Sequence, residues 1–409
     1  MSARPLALSS IRTILMMAVR IVIQGATLIL VTHFLGPEVY GGYISAASLA
    51  VVLGLLPNLG SGYVLMKRSS RDPGAAADVW SYAWPLTVGL GVALTVVFPF
   101  AAHPLAGDAM SLPALAVVGG VELLFSPLTL MLCFVLQSIG RVPTGQAVLT
   151  LPLLLRMLSA GACLIFTHAS LIQFVLLQAA GSFIGLLAAF WVTTRFVKLG
   201  WRVRRPLRSE IRSGSSYAAM HIVAANPTEF DKIASPLLLG EHSAGVYSAT
   251  SRVMNAIVMP VVGMLLAAQP RLFRHAAEPT ESGQKLIGTV AILSCAWGLI
   301  GGIIMFNAAP MLPLLFGNSY ADAAQLMPFV ALAAPFVSLR LAAGTILVAL
   351  GHPLQRLRFE LAGIIALSGL LIIGSRLAGP RGMAVSLSTA ECAMAVYGWI
   401  LVRRAEKLM

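Results

Sequence analysis

The sequence predicts an all-α polytopic membrane protein of about twelve transmembrane helices in two six-helix lobes, and three observations predict it. Of 409 residues, 58% are hydrophobic and only 11% charged, against about 25% charged in a soluble domain. Mean hydropathy is +0.87. Apolar runs of about twenty residues, the length that a bilayer core demands, recur from one end to the other. Lys and Arg gather at alternate ends of these runs, as the positive-inside rule requires.

The runs place spans at 12–35, 41–66, 79–102, 112–137, 146–167, 169–194, 214–238, 243–269, 285–309, 322–350, 358–376 and 380–402. The first contains an apolar stretch from Ile14 to Leu35 that is too long for a signal-peptide core. No small-residue cleavage site follows it, so it is expected to remain as a helix. Alternating sides along the connections, 21 Lys and Arg fall on the side of the N-terminus and two, Arg376 and Arg381, on the other. The remaining five of the 28 (Arg20, Arg156, Lys232, Arg252 and Arg340) lie inside spans. That split predicts two cytoplasmic termini.

The net charge of +13 is therefore spread over short loops, and nucleic-acid binding is not expected. The densest cluster, Arg202, Arg204, Arg205, Arg208 and Arg212 between the sixth and seventh spans, reads as a topology anchor touching membrane lipid headgroups. Cys133, Cys163, Cys295 and Cys392 each sit alone in apolar runs and read as small inert hydrophobes.

An internal repeat divides the chain. Leu35-Gly36, Gly41 and Tyr43 recur 204 residues later as Leu239-Gly240, Gly245 and Tyr247. A second echo links Leu136, Gly140 and Arg141 with Leu347, Gly351 and His352, shifted by 211. Matching residues at matching topological positions predict lobes at 1–200 and 201–409. Six spans per lobe make them parallel repeats, related by an axis along the membrane normal, a geometry that supports alternating access in a secondary transporter.

The stretch Phe34-Leu35-Gly36-Pro37-Glu38-Val39-Tyr40-Gly41-Gly42-Tyr43, followed by an Ala/Ser/Leu-rich helix ending in Lys67-Arg68, resembles the opening of the polysaccharide transporter family. Asp231-Lys232 ahead of Gly240, then Gly245-Val246-Tyr247 and Arg252, resembles the start of that family's second lobe. Leu314-Leu315-Phe316-Gly317 with Tyr320 and Ala323 resembles the approach to its tenth span. That family holds the Wzx-type flippases, within the multidrug/oligosaccharidyl-lipid/polysaccharide (MOP) exporter superfamily. The resemblance implies translocation of an undecaprenyl-pyrophosphate-linked oligosaccharide across a bacterial inner membrane, for O-antigen or exopolysaccharide synthesis, alongside other polysaccharide-assembly membrane proteins. The alternative is a multidrug or other small-molecule exporter of the same superfamily. Such an exporter calls for acidic groups deep in the first lobe, where Glu122 is the one deep acid.

Charges inside spans cost at least about 2.5–3.5 kcal/mol each at a helix centre, so they are candidate functional groups. Arg20 has Gln24 one turn on, Arg252 has Ser248 and Asn255, Arg156 has Ser159, and Arg340 has Ser338 and Thr345. A guanidinium fork fits phosphate oxygens bidentately and stays charged, so these arginines, with Gln24 and Asn255, are candidates to bind a pyrophosphate and its glycan. The competing reading pairs each arginine with a buried carboxylate, Glu122, Glu360 or Glu391. In the seventh span His221, Asn226-Pro227, Glu229, Asp231 and Lys232 crowd together. A proline-broken helix there would expose carbonyls and carboxylates able to carry Na⁺ or H⁺, making Glu229, Asp231 and Glu122 candidates for ion coupling. The bland alternative leaves Asp231 and Lys232 at the outer interface. No catalytic constellation, metal spacing or cofactor motif stands out, so no enzyme and no bound cofactor are expected.

Overall fold

The computed structural model describes residues 3–69, 75–166, 170–212, 227–277 and 281–407, together with 214, 215 and 218. Among them there is no strand. Helices α1 (Ala3–Leu53), α2 (Ser61–Ser69), α3 (Ala75–Ala106), α4 (Leu112–Gly119), α5 (Ser126–Ser138), α6 (Val142–Ile165) and α7 (Leu171–Thr194) make the first half. A π-helical turn, Gly120–Phe125, joins α4 to α5. The second half holds α8 (Pro227–Leu239), α9 (Glu241–Ala277), α10 (Glu281–Ala308), α11 (Leu312–Phe316), α12 (Ala321–Ala331), α13 (Ala334–Ala349) and α14 (Pro353–Lys407).

Eight of the described helices are long and apolar enough to cross a membrane, and nine with the pair α12 and α13, which bends by 49°. Two of the eight are longer than a bilayer needs because each is a pair of spans. Helix α1 breaks at Gly36 (φ 68°) and α14 breaks at Ala378-Gly379, where Gly379 has φ 55°. Splitting both and adding α8 gives the twelve helical segments that the apolar runs predict. A chain in hydrocarbon cannot leave backbone groups unpaired, so these breaks are tight. Each is a glycine that adopts left-handed geometry, followed at once by Pro37 or Pro380, which start the next helix without needing an N–H partner.

The second sequence echo has a local cause. Gly140 (φ 81°) and Gly351 (φ 84°) both terminate helices through the same pair of bonds. The N–H of Arg141 donates to Leu136 and that of Gly140 to Gln137, while His352 donates to Leu347 and Gly351 to Val348. Both are Schellman caps, which require a left-handed residue at this position.

By contact the chain forms two compact units, Met1–Leu35 with Gly42–Ile222, and Gly36–Gly41 with Val223–Met409. In the first, Leu65, Val79, Trp80, Tyr82, Met131 and Val135 make a core between α2, α3 and α5. In the second, Tyr247, Phe316, Tyr320, Leu347 and Phe359 are fully buried. The first echo also lies in the second unit. The segment 36–41 crosses the start of α9 so closely that a Cβ on Gly245 would collide with the Pro37 carbonyl oxygen, and one on Gly41 with the Glu241 carbonyl oxygen. The repeated glycines are therefore contact points of two helix starts.

Gly245→Val should consequently leave little folded protein in the membrane, because its neighbour is backbone and cannot rotate away. Gly263→Val, in the same helix but facing open space, should be tolerated. Membrane abundance and monodispersity of the two variants check this; equal yields would contradict the crossing.

Candidate functional site

In the first unit the chemistry centres on the π-helical turn. One extra residue in that turn carries Glu122, and such turns recur at functional positions in helices. Glu122 Oε1 lies 3.6 Å from Arg156 Nη1 on α6, with side chains 14% and 21% exposed. Ser126 Oγ donates weakly to Glu122 at 3.4 Å. The Arg156 guanidinium also donates to the Tyr43 hydroxyl, which in turn donates to Gln178 Oε1 at 3.1 Å. Phe174 packs edge-on against Tyr43 and tilted against Phe34. The pair is thus partly open, with a separation too long for a hydrogen bond, and its arginine is steered by a buried tyrosine.

A second loose pair occupies the second unit. Arg252 Nη2 on α9 lies 3.8 Å from Glu229 Oε2 on α8, with side chains 34% and 18% exposed. Two further clusters in this unit are sealed. Asp231 accepts from Lys232 Nζ at 3.1 Å, Tyr247 Oη at 2.9 Å and Ser251 Oγ at 3.0 Å, and both members of the ion pair are buried. Arg340 on α13 donates through Nε to Glu391 at 2.6 Å and through Nη1 to Glu360 at 3.0 Å, and all three are buried. Arg356 Nε stands 3.7 Å from the other Glu360 oxygen. Two arginines against two glutamates make this cluster neutral, as the membrane interior requires.

The predicted candidates therefore separate. Arg156 meets Glu122, Arg252 meets Glu229, and Arg340 meets Glu360 and Glu391, so the carboxylate-pairing alternative describes three of the four arginines. Arg340 is not open to a ligand, because both carboxylates are bonded to it in a fully buried site. Asp231 and Lys232 are buried among the helices and bonded to each other. Arg20 is partly exposed, Gln24 is exposed and Asn255 half-buried, and none of the three makes a side-chain hydrogen bond or ion pair among the described residues. His221 and Asn226 lie outside the described residues. No group of three or more His, Cys, Asp or Glu among the described residues could hold a metal ion.

Sequence reasoning missed the break in the second span. Between α1 and α2 the chain unwinds over 54–60, with Leu59 (φ 39°) and Gly60 (φ 67°) both left-handed. Asn58 is buried there, donating to the Pro127 carbonyl at 3.1 Å and accepting from Thr87 at 2.9 Å. The signal was present as Pro57-Asn58-Leu59-Gly60, a turn-forming run inside an apolar stretch.

No protein-family model matches the chain, and no curated protein matches it by sequence. Solved structures do. One described as the inward-facing conformation of a multidrug resistance MATE family transporter of the MOP superfamily is similar at a TM-score of 0.79, with 14% identity over 95% of each chain. Its counterpart described as outward-facing gives 0.69, with 16% identity over 98% of this chain and 94% of the other. A ligand complex of the MATE multidrug transporter DinF-BH gives 0.70, with 18% identity over 98% and 95%. The chain thus has the fold of the MOP-superfamily exporters, a multi-pass membrane architecture.

The resemblance to the polysaccharide transporters is corrected by these likenesses. The structures sharing the fold are described as multidrug transporters, and the lipid-linked oligosaccharide reading falls with the polysaccharide family. The physical reason is visible in the residues that carried the resemblance. Gly36, Gly41, Gly240 and Gly245 form helix breaks and close crossings, which serve the fold whatever the cargo. The arginines expected to grip a pyrophosphate are mostly neutralised by their own carboxylates.

Breaking the sealed cluster should differ from breaking the open pair. Arg340→Ala strands two buried glutamates and should cost about 3–5 kcal/mol, seen as a large fall in melting temperature and membrane abundance. Arg252→Ala should cost under about 1 kcal/mol, since its pair is loose and partly exposed. Thermal unfolding of both variants in detergent tests this; similar melting temperatures would refute the distinction.

Proposed function

We propose that the chain is an ion-coupled secondary exporter of small amphipathic organic molecules, working in a bacterial inner membrane with both termini cytoplasmic. The observation that carries this reading is the match of nearly the whole chain to a multidrug transporter fold, at a TM-score of 0.79. Inward- and outward-facing members of that fold fit an alternating-access cycle. The two lobes are the bodies proposed to move in this cycle.

Glu122 is the proposed coupling group in the first lobe. It is the deep acid of that lobe, and Arg156 stands 3.6 Å from it, beyond hydrogen-bond distance. A carboxylate held this loosely can take up H⁺ or Na⁺ without first breaking a strong bond. Neutralising it leaves the Arg156 guanidinium held by Tyr43, and through Tyr43 by Gln178, coupling ion occupancy to the packing of α1, α6 and α7. Glu229 beside Arg252 offers the same chemistry in the second lobe, whereas Asp231, bonded on three sides, acts as a fixed brace. Arg20, Gln24, Arg156, Arg252 and Asn255 are proposed contacts for the transported molecule. The paired arginines present little net charge, which suits amphipaths better than a polyanion.

Reconstituted protein should move a fluorescent amphipathic dye across proteoliposome membranes when a proton or Na⁺ gradient is imposed. Glu122→Gln should lower the gradient-driven rate at least tenfold while leaving the melting temperature within a few degrees. Absence of gradient-dependent movement across a panel of cationic, neutral and anionic amphipathic dyes would overturn the exporter reading. A Glu122→Gln variant that transports normally would remove only the coupling assignment.

A further inference from the structure

The connection after α7 carries seven Lys and Arg between Arg195 and Arg212, and transport makes no use of them. Residues 201–207 have no regular secondary structure, yet they are held at several points to the first unit. The Arg204 N–H donates to the Ser81 carbonyl on α3 at 3.0 Å. The Arg204 guanidinium reaches both Glu210 oxygens, at 2.9 and 3.0 Å, and Asp78 Oδ1 at 3.1 Å. Arg68, at the end of α2, donates to Glu210 at 2.7 Å and to Asp78 at 2.9 Å. The Leu207 N–H donates to Glu210 at 2.8 Å. Burial pushes the Glu210 carboxyl up, but the bonds from Arg204 and Leu207, with the charges of Arg204 and Arg68, outweigh it and hold the group below its ordinary range. The Glu210 carboxyl is therefore ionised at neutral pH.

The clamp uses two acids and two arginines, so it is neutral and leaves no acid over for Arg202, Arg205 and Arg208. Arg202, Arg205 and Arg208 are exposed and form no ion pair among the described residues. Trp201 packs edge-on against Trp84 (centroids 5.6 Å apart) and tilted against Phe190 (5.4 Å), but it is 68% exposed, as is Val203. Leu207 is exposed as well. Trp84 lies on α3 and Phe190 on α7, both near the ends of membrane-crossing helices. Aromatic residues at that level, interleaved with arginines, are the composition of a membrane–water interface.

We propose that this pinned connection is a docking surface for anionic phospholipid headgroups. Arg202, Arg205 and Arg208 take the phosphates, and Trp201, Val203 and Leu207 enter the boundary between headgroups and acyl chains. Arginine forks suit phosphate oxygens, and juxtamembrane basic residues are attracted to anionic leaflets with about fivefold in affinity per residue. The ion-pair clamp makes the surface specific. It fixes the backbone so that three guanidiniums stand in place before any lipid arrives, lowering the ordering entropy lost on binding.

The test uses the full chain in detergent, titrated with phosphatidylglycerol or phosphatidylcholine, with melting temperature and retained lipid by native mass spectrometry as readouts. Phosphatidylglycerol should raise the melting temperature and be retained, phosphatidylcholine should do neither, and high salt should weaken the effect. The variant Arg202→Gln, Arg205→Gln, Arg208→Gln should melt as the parent does in phosphatidylcholine, because none of the three belongs to the clamp. Its affinity for phosphatidylglycerol should fall by about ten- to a hundredfold. The matching triple lysine variant should keep most of the effect. An unchanged phosphatidylglycerol response in the glutamine variant overturns the proposal, as does an equal response of the parent protein to inorganic phosphate alone. No transport is measured, so the result stands apart from the exporter reading.

Discussion

The constraint on which the structure depends is the low polarity of the bilayer interior, where an unpaired backbone group or an isolated charge is expensive. It explains why the described chain is mostly helical along the apolar runs, with tight breaks such as the glycine–proline steps at Gly36 and Gly379. It also explains the disposition of charge. Arg340 is tolerated inside the second unit because Glu391 and Glu360 are both bonded to it, and Asp231 because Lys232, Tyr247 and Ser251 surround it. These sealed groups tie α8, α9, α13 and α14 together and are poor places for a ligand.

Against that sealed background the loosely held pairs are informative. Glu122 with Arg156 and Glu229 with Arg252 each lie beyond hydrogen-bonding distance and retain some exposure. A buried ion pair with poor geometry does not repay its desolvation well, so such pairs add little to stability. The π-helical turn under Glu122 and the unwound 54–60 segment likewise trade helix regularity for placement of a polar side chain.

The connection after α7 obeys the opposite logic, and its exposed Arg202, Arg205 and Arg208 form no ion pair among the described residues. The clamp of Arg68, Asp78, Arg204 and Glu210 turns what sequence counting reads as a topology signal into a rigid, basic and aromatic surface. The same residue type thus serves as a helix brace at Arg340, an adjustable partner at Arg156 and a surface charge at Arg202, and its surroundings decide which.

Much of the fold was legible in the sequence. Apolar length and the glycine echo reflect one-dimensional requirements: how far a helix must run, and which positions recur between the two halves. The membrane class and the all-helical fold follow from these alone. What the arginines touch does not. Arg340 and Glu391 are 51 residues apart and Arg156 and Tyr43 are 113 apart, so their pairing depends on helix packing that no local pattern encodes. The fold showed in short motifs because those motifs build its helix breaks and close crossings. Which charges remain open did not show, because that depends on how the helices pack, and only the tertiary structure decides it.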